Sequence, residues 1–194
     1  GTMPGRFQQA WEAVAMMNEI AQASVVFGIG LSLAFSLACG SRDDELSARQ
    51  LPKIDVSSFA APIREALETA YRRADGEPKN AGALGKYCMI LQAHEQVHSA
   101  AECYKRAREV DYSSFNWPYY QSVAYHSAGA TAHATRAIED ALRIRPEYLP
   151  ALLLYGQLLL ESGKVDQSLR IYSEAVRTHL WNPAAQYQLG RALL

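Results

Sequence analysis

The sequence predicts an all-α solenoid of antiparallel helix hairpins, about three and a half repeats long, behind an N-terminal apolar segment. Periodicity carries that prediction. Cys88, Ser122, Gly156 and Gly190 are all small and follow one another at an interval of 34 residues. Ala107, Ala141 and Ala175 keep the same interval, as do Ala100, Ala134 and Ser168. Large residues keep step with them: Leu91, Tyr125, Leu159 and Leu193 in one series, Tyr104, Ile138 and Tyr172 in another. Self-similarity at ~34 residues marks stacked helical hairpins. Small residues sit where two helices approach most closely, and large ones fill the holes between them.

The elements follow in chain order. From Ile20 to Gly40 there is no charged residue, and Val25 to Cys39 is densely apolar. At ~1.5 Å per residue, about twenty residues cross a ~30 Å hydrocarbon layer, and a signal-peptide core has similar composition. Phe35-Ser36-Leu37-Ala38-Cys39-Gly40 resembles the lipobox of a bacterial lipoprotein, which implies cleavage before Cys39 and a lipid on it. Ser36 departs from the usual Leu, and Arg6 is the sole cation ahead of the segment. Three readings stay open: a lipoprotein signal, an uncleaved anchor, or a buried N-terminal helix. Residues 1–39 form this segment with its flank, and residues 40–58 read as a polar tether containing Pro52. Ala61-Pro62 opens the next helix, because Pro suits a first helical turn. Ile63, Leu67, Ala70 and Tyr71 give it one apolar stripe, and Asp75-Gly76 ends it. Residues 59–80 are therefore expected to cap the N-terminal end of the core.

Repeats are expected over 81–114, 115–148 and 149–182, with a partial unit at 183–194. Their spacing resembles the tetratricopeptide repeat (TPR). The third unit shows it most fully in Leu152, Tyr155-Gly156, Leu159, Gly163, Ser168, Tyr172 and Ala175. The second has Tyr125, Gly129, Ala134, Ile138, Ala141 and Pro146; the first has Leu84, Tyr87-Cys88, Leu91, Ala100, Tyr104 and Ala107. Leu84, Pro118 and Leu152 replace the family's tryptophan, and Glu95 stands where the inter-helix turn usually has Gly. Trp117 is a candidate to supply the missing ring. Gly82 and Gly85 each cost a helix about 1 kcal/mol relative to Ala, so the first unit's leading helix is expected to fray most readily. The resemblance implies a right-handed superhelix whose concave face is lined by the first helix of each hairpin. A stripe of Tyr187, Leu189, Leu193 and Leu194 lacks a partner helix, which suggests either a cap or a fragment of a longer array.

Composition narrows the function. A net charge of −1 provides no basic face for nucleic acid. Cys39, Cys88 and Cys103 are odd in number and match no metal spacing, so no disulfide framework is expected; Cys88 reads as a small hydrophobe at the helix crossing, and Cys103 as likewise structural. His94-Glu95-Gln96-Val97-His98 matches the zinc-protease motif letter for letter, but the repeat register spreads it across a turn. A zinc-dependent hydrolase using His94, Glu95 and His98 is kept as the alternative, together with a regulatory TPR part of a longer enzyme. His126, His133 and His179 have no carboxylate or Cys at ligand spacing. No phosphate loop or nucleophile elbow is present, so the chain is not expected to be an enzyme and no cofactor is expected.

The resemblance implies a groove for a protein or peptide client, held as an extended segment or an amphipathic helix. By register it would carry Lys86, Met89 and Gln92 from the first unit, then Asn116, Tyr119, Tyr120, Val123 and His126 from the second. Leu153, Leu154, Gln157, Leu160 and Glu161 would follow, then Tyr187 and Arg191. Leu153, Leu154 and Val123 could equally pack against a neighbouring hairpin, since aliphatic stripes default to core. Some TPR domains grip chaperone C-termini with Lys, Asn and Arg. The matching slots here hold Gly85, Met89, Tyr120, Pro150 and Leu154, and none can pair with a carboxylate. The expected function is a protein–protein interaction scaffold or adaptor in the cell envelope. Self-association through the C-terminal edge is possible, as is membrane contact through residues 20–40 or lipid on Cys39.

Overall fold

The computed structural model describes residues 50–194, and all its regular secondary structure is α-helical. The apolar segment 20–40 and Cys39 lie outside the described residues. Eight helices follow in order: α1 (Ala61–Gly76), α2 (Ala81–Ala93), α3 (Val97–Val110), α4 (Asn116–Ser127), α5 (Thr131–Ile144), α6 (Leu149–Glu161), α7 (Val165–Thr178) and α8 (Pro183–Ala192). Each packs mainly on its neighbours in sequence, as stacked hairpins must. Among the described residues, no helix is long and apolar enough to cross a membrane.

The periodic positions form the core. Cys88, Ser122, Ala100, Ala134, Ser168, Ala107, Ala141 and Ala175 are all 0% exposed, as are Leu91, Tyr104, Ile138 and Tyr172. Burying a Leu or Ile side chain fully contributes about 1.5–3 kcal/mol, so these rows supply most of the drive to stack. Small residues are needed for contact as well as spacing. A Cβ on Gly156 would run into the Tyr172 ring, and one on Gly85 would run into Trp117. The Trp117 ring thus packs on the second helical turn of α2, the turn expected to fray. Asn80 also caps α2, its side chain accepting from the Ala83 N–H at 3.0 Å.

Each complete hairpin secures its crossing differently. In the second, Ser122 Oγ donates to the Ala134 carbonyl at 2.9 Å. In the third the donor sits on the opposite helix: Ser168 Oγ donates to the Gly156 carbonyl at 2.7 Å. The two bonds join register-equivalent positions with the roles exchanged. The first hairpin is tied covalently. Cys88 of α2 and Cys103 of α3 form a disulfide with Cα atoms 5.4 Å apart. This corrects the expectation of unpaired cysteines. An odd count describes the chain, whereas pairing depends on which two thiols a hairpin brings together. At the open end the same slots behave differently. Gly190 is exposed and Leu193 is 68% exposed, and among the described residues no further helix packs on them.

Residues 50–59 do not hang clear of the repeats as a tether would. Leu51 is 8% exposed, and Ile54, Val56 and Phe59 pack against the first core cluster. The Tyr87 hydroxyl donates to the Pro52 carbonyl at 2.7 Å. Apolar residues interleaved with polar ones let an extended strap bury one side without helical periodicity.

The inter-helix turns repeat with one exception. Gly129 and Gly163 have φ of 72° and 71°, and Glu95 occupies the equivalent place at 61°. An L-residue in this left-handed region costs about 1–2 kcal/mol, and glycine forfeits roughly half to all of 1 kcal/mol in chain entropy. Glu95→Gly is therefore expected to raise stability by about 0.5–1 kcal/mol. Chemical denaturation of the two chains measures it, and an unchanged or lowered midpoint would contradict the strain account.

Candidate functional site

A cleft of about 340 Å³ opens between α2 and α4, lined by Met89, Gln92, Ala93, Tyr104, Tyr119, Tyr120 and Val123. Five of these residues were expected in the groove, and the fold brings them together. Helical spacing explains it: Met89 and Gln92 are three residues apart, as are Tyr120 and Val123, so each pair shares a face. Tyr104 was legible only as a core position. Its ring is fully buried, yet its hydroxyl reaches through to donate to Gln92 Oε1 at 2.9 Å. No property of the single sequence distinguishes such a side chain from an ordinary core tyrosine.

The cleft is walled by linked aromatic rings. Tyr104 and Tyr120 stack with centroids 5.7 Å apart. Tyr120 meets Tyr119 at 5.5 Å, and Tyr119 meets Tyr148 at 5.4 Å. Phe115 packs behind, 5.4 Å from Tyr119 and 4.7 Å from Tyr148. The Arg145 guanidinium lies 5.0 Å from both the Phe115 and the Tyr148 ring centroids. Offset and edge-on ring pairs add about 0.5–1.5 kcal/mol each beyond burial, so this wall is stiff. Burial, helped by the neighbouring Tyr148 and Tyr120, pushes the Tyr119 hydroxyl above its ordinary pKa. It is therefore a hydrogen-bond donor through neutral and mildly alkaline pH.

The other expected residues fall elsewhere. His126 Nε2 pairs with Glu161 Oε1 at 3.0 Å, and Gln157 Nε2 donates to the same oxygen at 2.9 Å. Desolvation pushes the Glu161 pKa up, but those two hydrogen bonds outweigh it and hold the carboxyl below its usual range. This polar group links α4 to α6 beyond the aromatic wall. Leu154 packs into the second core cluster and Leu153 into the third, while Leu160 is half-buried. Lys86 and Asn116 are exposed and do not line the cleft. Arg191 and Tyr187 sit together on α8, the guanidinium 5.9 Å from the ring centroid.

The zinc-protease match is divided by the fold. His94 is the C-cap of α2, Glu95 lies in the turn, and His98 is in the first turn of α3. His94 packs edge-on against Phe59, with centroids 6.0 Å apart. Among the described residues, no group of three or more His, Cys, Asp or Glu is placed to hold a metal ion.

Residues 125–186 match the family model described as tetratricopeptide repeat. The fold is a TPR-type solenoid. Its helices resemble those in the crystal structure of MamA, at 18% identity and a TM-score of 0.63, over 67% of this chain and 76% of that one. They also resemble YrrB, described as a TPR protein with an unusual peptide-binding site, at 21% identity and a TM-score of 0.58, over 66% of each chain. A third likeness is to the second TPR domain of human RPAP3 in complex with the HSP70 peptide SGPTIEEVD. It has 17% identity and a TM-score of 0.54, over 57% of this chain and 92% of that domain. At these identities the likeness is one of fold. No curated protein matches the chain in sequence. In TPR terms, the cleft lies on the first helices of two successive hairpins.

Proposed function

We propose that this chain is a protein–protein interaction scaffold that holds a client segment in the cleft between α2 and α4. The observation that carries this reading is the cleft itself. Met89, Tyr119, Tyr120 and Val123 converge there on a stiff aromatic wall, with no charged side chain lining it. Tyrosine provides large contact area at little entropic cost, which suits it to anchoring a partner. The repeat fold supports the same reading, since structural neighbours include TPR domains solved with bound peptides. A photoreactive residue placed at Val123 of the full-length chain tests it in the source cell. Client adducts are expected from Val123 and not from Arg136, which is exposed on α5. Equal adducts from both sites would place the client elsewhere.

We further propose that the scaffold works in the cell envelope, on the membrane side reached by residues 20–40 or by lipid on Cys39. The uncharged run from Ile20 to Gly40 supports this. So does the Cys88–Cys103 disulfide, because such bonds persist mainly in oxidising compartments.

A further inference from the structure

We propose that the client segment carries an acidic side chain beside the apolar group that fills the α2–α4 cleft, and that Arg145 grips its carboxylate. This rests on the scaffold reading and names the charge of the client and the residue that reads it.

The first observation is that Arg145 is held in place and yet unspent. Arg73, Arg106, Arg108, Arg143 and Arg177 each pair with an aspartate or glutamate. Arg145 is exposed and makes no ion pair or hydrogen bond among the described residues. Its guanidinium lies 5.0 Å from the Phe115 and the Tyr148 ring centroids. Stacking on rings leaves the N–H donors at the edge of the guanidinium open, and that edge matches the two oxygens of a carboxylate.

The second is that the nearest acid in the chain is engaged elsewhere. Glu147 lies against the end of α7, where its carbonyl accepts from His179 Nε2 at 2.8 Å. Its carboxylate acts there too: Glu174 chiefly, and Glu147 after it, hold the Arg177 guanidinium above its ordinary pKa.

The third is position. Tyr148 packs edge-on against Tyr119, and Tyr119 lines the cleft, so Arg145 stands one ring away from the cleft wall. An apolar side chain in the cleft and a carboxylate on Arg145 therefore fit within one short segment. The Tyr148 hydroxyl also bonds no group among the described residues, and it is a second donor at this end. Two carboxylate oxygens have lone pairs enough for both.

Charge then decides between kinds of client. The cleft holds no acid, so a basic segment would meet Arg145 with nothing to offset the repulsion. A neutral segment would leave the guanidinium to water. An acidic side chain gains a charge-assisted bond to a partner that the rings have already ordered, which lowers the entropic cost of binding.

The test selects peptides from a library with one central leucine and random flanks, on the immobilised full-length chain in detergent. Selections run in parallel on the wild type, on Arg145→Gln and on Arg170→Gln, which removes the same charge from an exposed site on α7. Aspartate and glutamate are expected to be enriched at least about threefold by the wild type and by Arg170→Gln, and not by Arg145→Gln. The best wild-type peptide should weaken about tenfold when its acid becomes the amide, and by the same factor on Arg145→Gln, as the loss of one hydrogen-bonded charge predicts. Both changes together should cost little more than either alone, because they remove one interaction. Selection of neutral or basic peptides would overturn the proposal and leave the scaffold reading standing. Acidic enrichment that survives Arg145→Gln would also overturn it, as would tighter binding of a phosphorylated version of the best peptide. If no peptide is selected, the proposal falls, and adducts from Val123 in the cell decide separately whether the scaffold reading survives.

Discussion

Met89→Glu is expected to weaken client capture at least about a hundredfold while leaving the melting temperature almost unchanged. Met89 is 43% exposed and lines the cleft beside Tyr120 and Val123, so a glutamate there stays hydrated in the free protein. Once a client covers the cleft, that carboxylate is buried without a partner. Burying an unpaired charge costs several kcal/mol, and every ~1.4 kcal/mol is tenfold in affinity. Surface substitutions away from packed features change stability by about 0.5 kcal/mol or less, so the fold should hold. Quantitative pull-down of the client identified by the Val123 adducts, with a thermal melt of both chains, checks the two halves together. Retained capture would remove the cleft from the binding surface.

Alanine at Tyr119 and Tyr120 is a less discriminating probe. The family resemblance places these residues in the groove. In the structure Tyr120 packs against the first core cluster and Tyr119 against the second. Truncating them removes binding area and core packing at once, so a loss of capture would not separate the two.

Replacing Cys88 and Cys103 together by alanine is expected to lower stability by about 3 kcal/mol. The bond spans a sequence separation of 15 residues, and closing a loop of that size in the unfolded chain is worth about that much. For a repeat domain of this length, the melting point should fall by about 6–12 °C. A reductant should bring the wild type close to the variant and leave the variant itself unaffected. Alkylation under denaturing conditions after an acid quench of intact cells, which exposes both buried cysteines before any exchange, reads the same pair in place. Blocked thiols at Cys88 and Cys103 accord with an oxidising compartment, and free thiols would count against the envelope reading. Loss of the bond should loosen chiefly α2 and α3, since each repeat contacts only its neighbours. That hairpin carries Met89, Gln92 and Tyr104, so reduction should also weaken client capture.

The two predictions draw on different kinds of legibility. The repeat was readable because its positions are redundant. Ala107, Ala141 and Ala175 say the same thing three times, and each is fully buried. The family resemblance, carried over by register, also placed Met89, Gln92, Tyr119, Tyr120 and Val123 on the first helices of their hairpins, and the fold gathers them in one cleft. The Cys88–Cys103 pairing was not readable, since it occurs in one hairpin and has no copy at Ser122 or Gly156 to confirm it. The strap was missed for a related reason. Leu51, Ile54 and Val56 lie in a segment with no repeat and no helical period, so only their burial shows that they belong to the core.

Residue identity and spacing by themselves determined the helical repeat class, its register and the Glu95 exception. These depend on local periodicity and on small and large side chains alternating along the chain. Tertiary structure alone decided which thiols join, where residues 50–59 rest, and which hydroxyls are spent within the fold. It also showed that Tyr104 reaches the cleft from behind. Those outcomes depend on distances between helices that are remote in sequence, and such distances exist only once the hairpins have stacked.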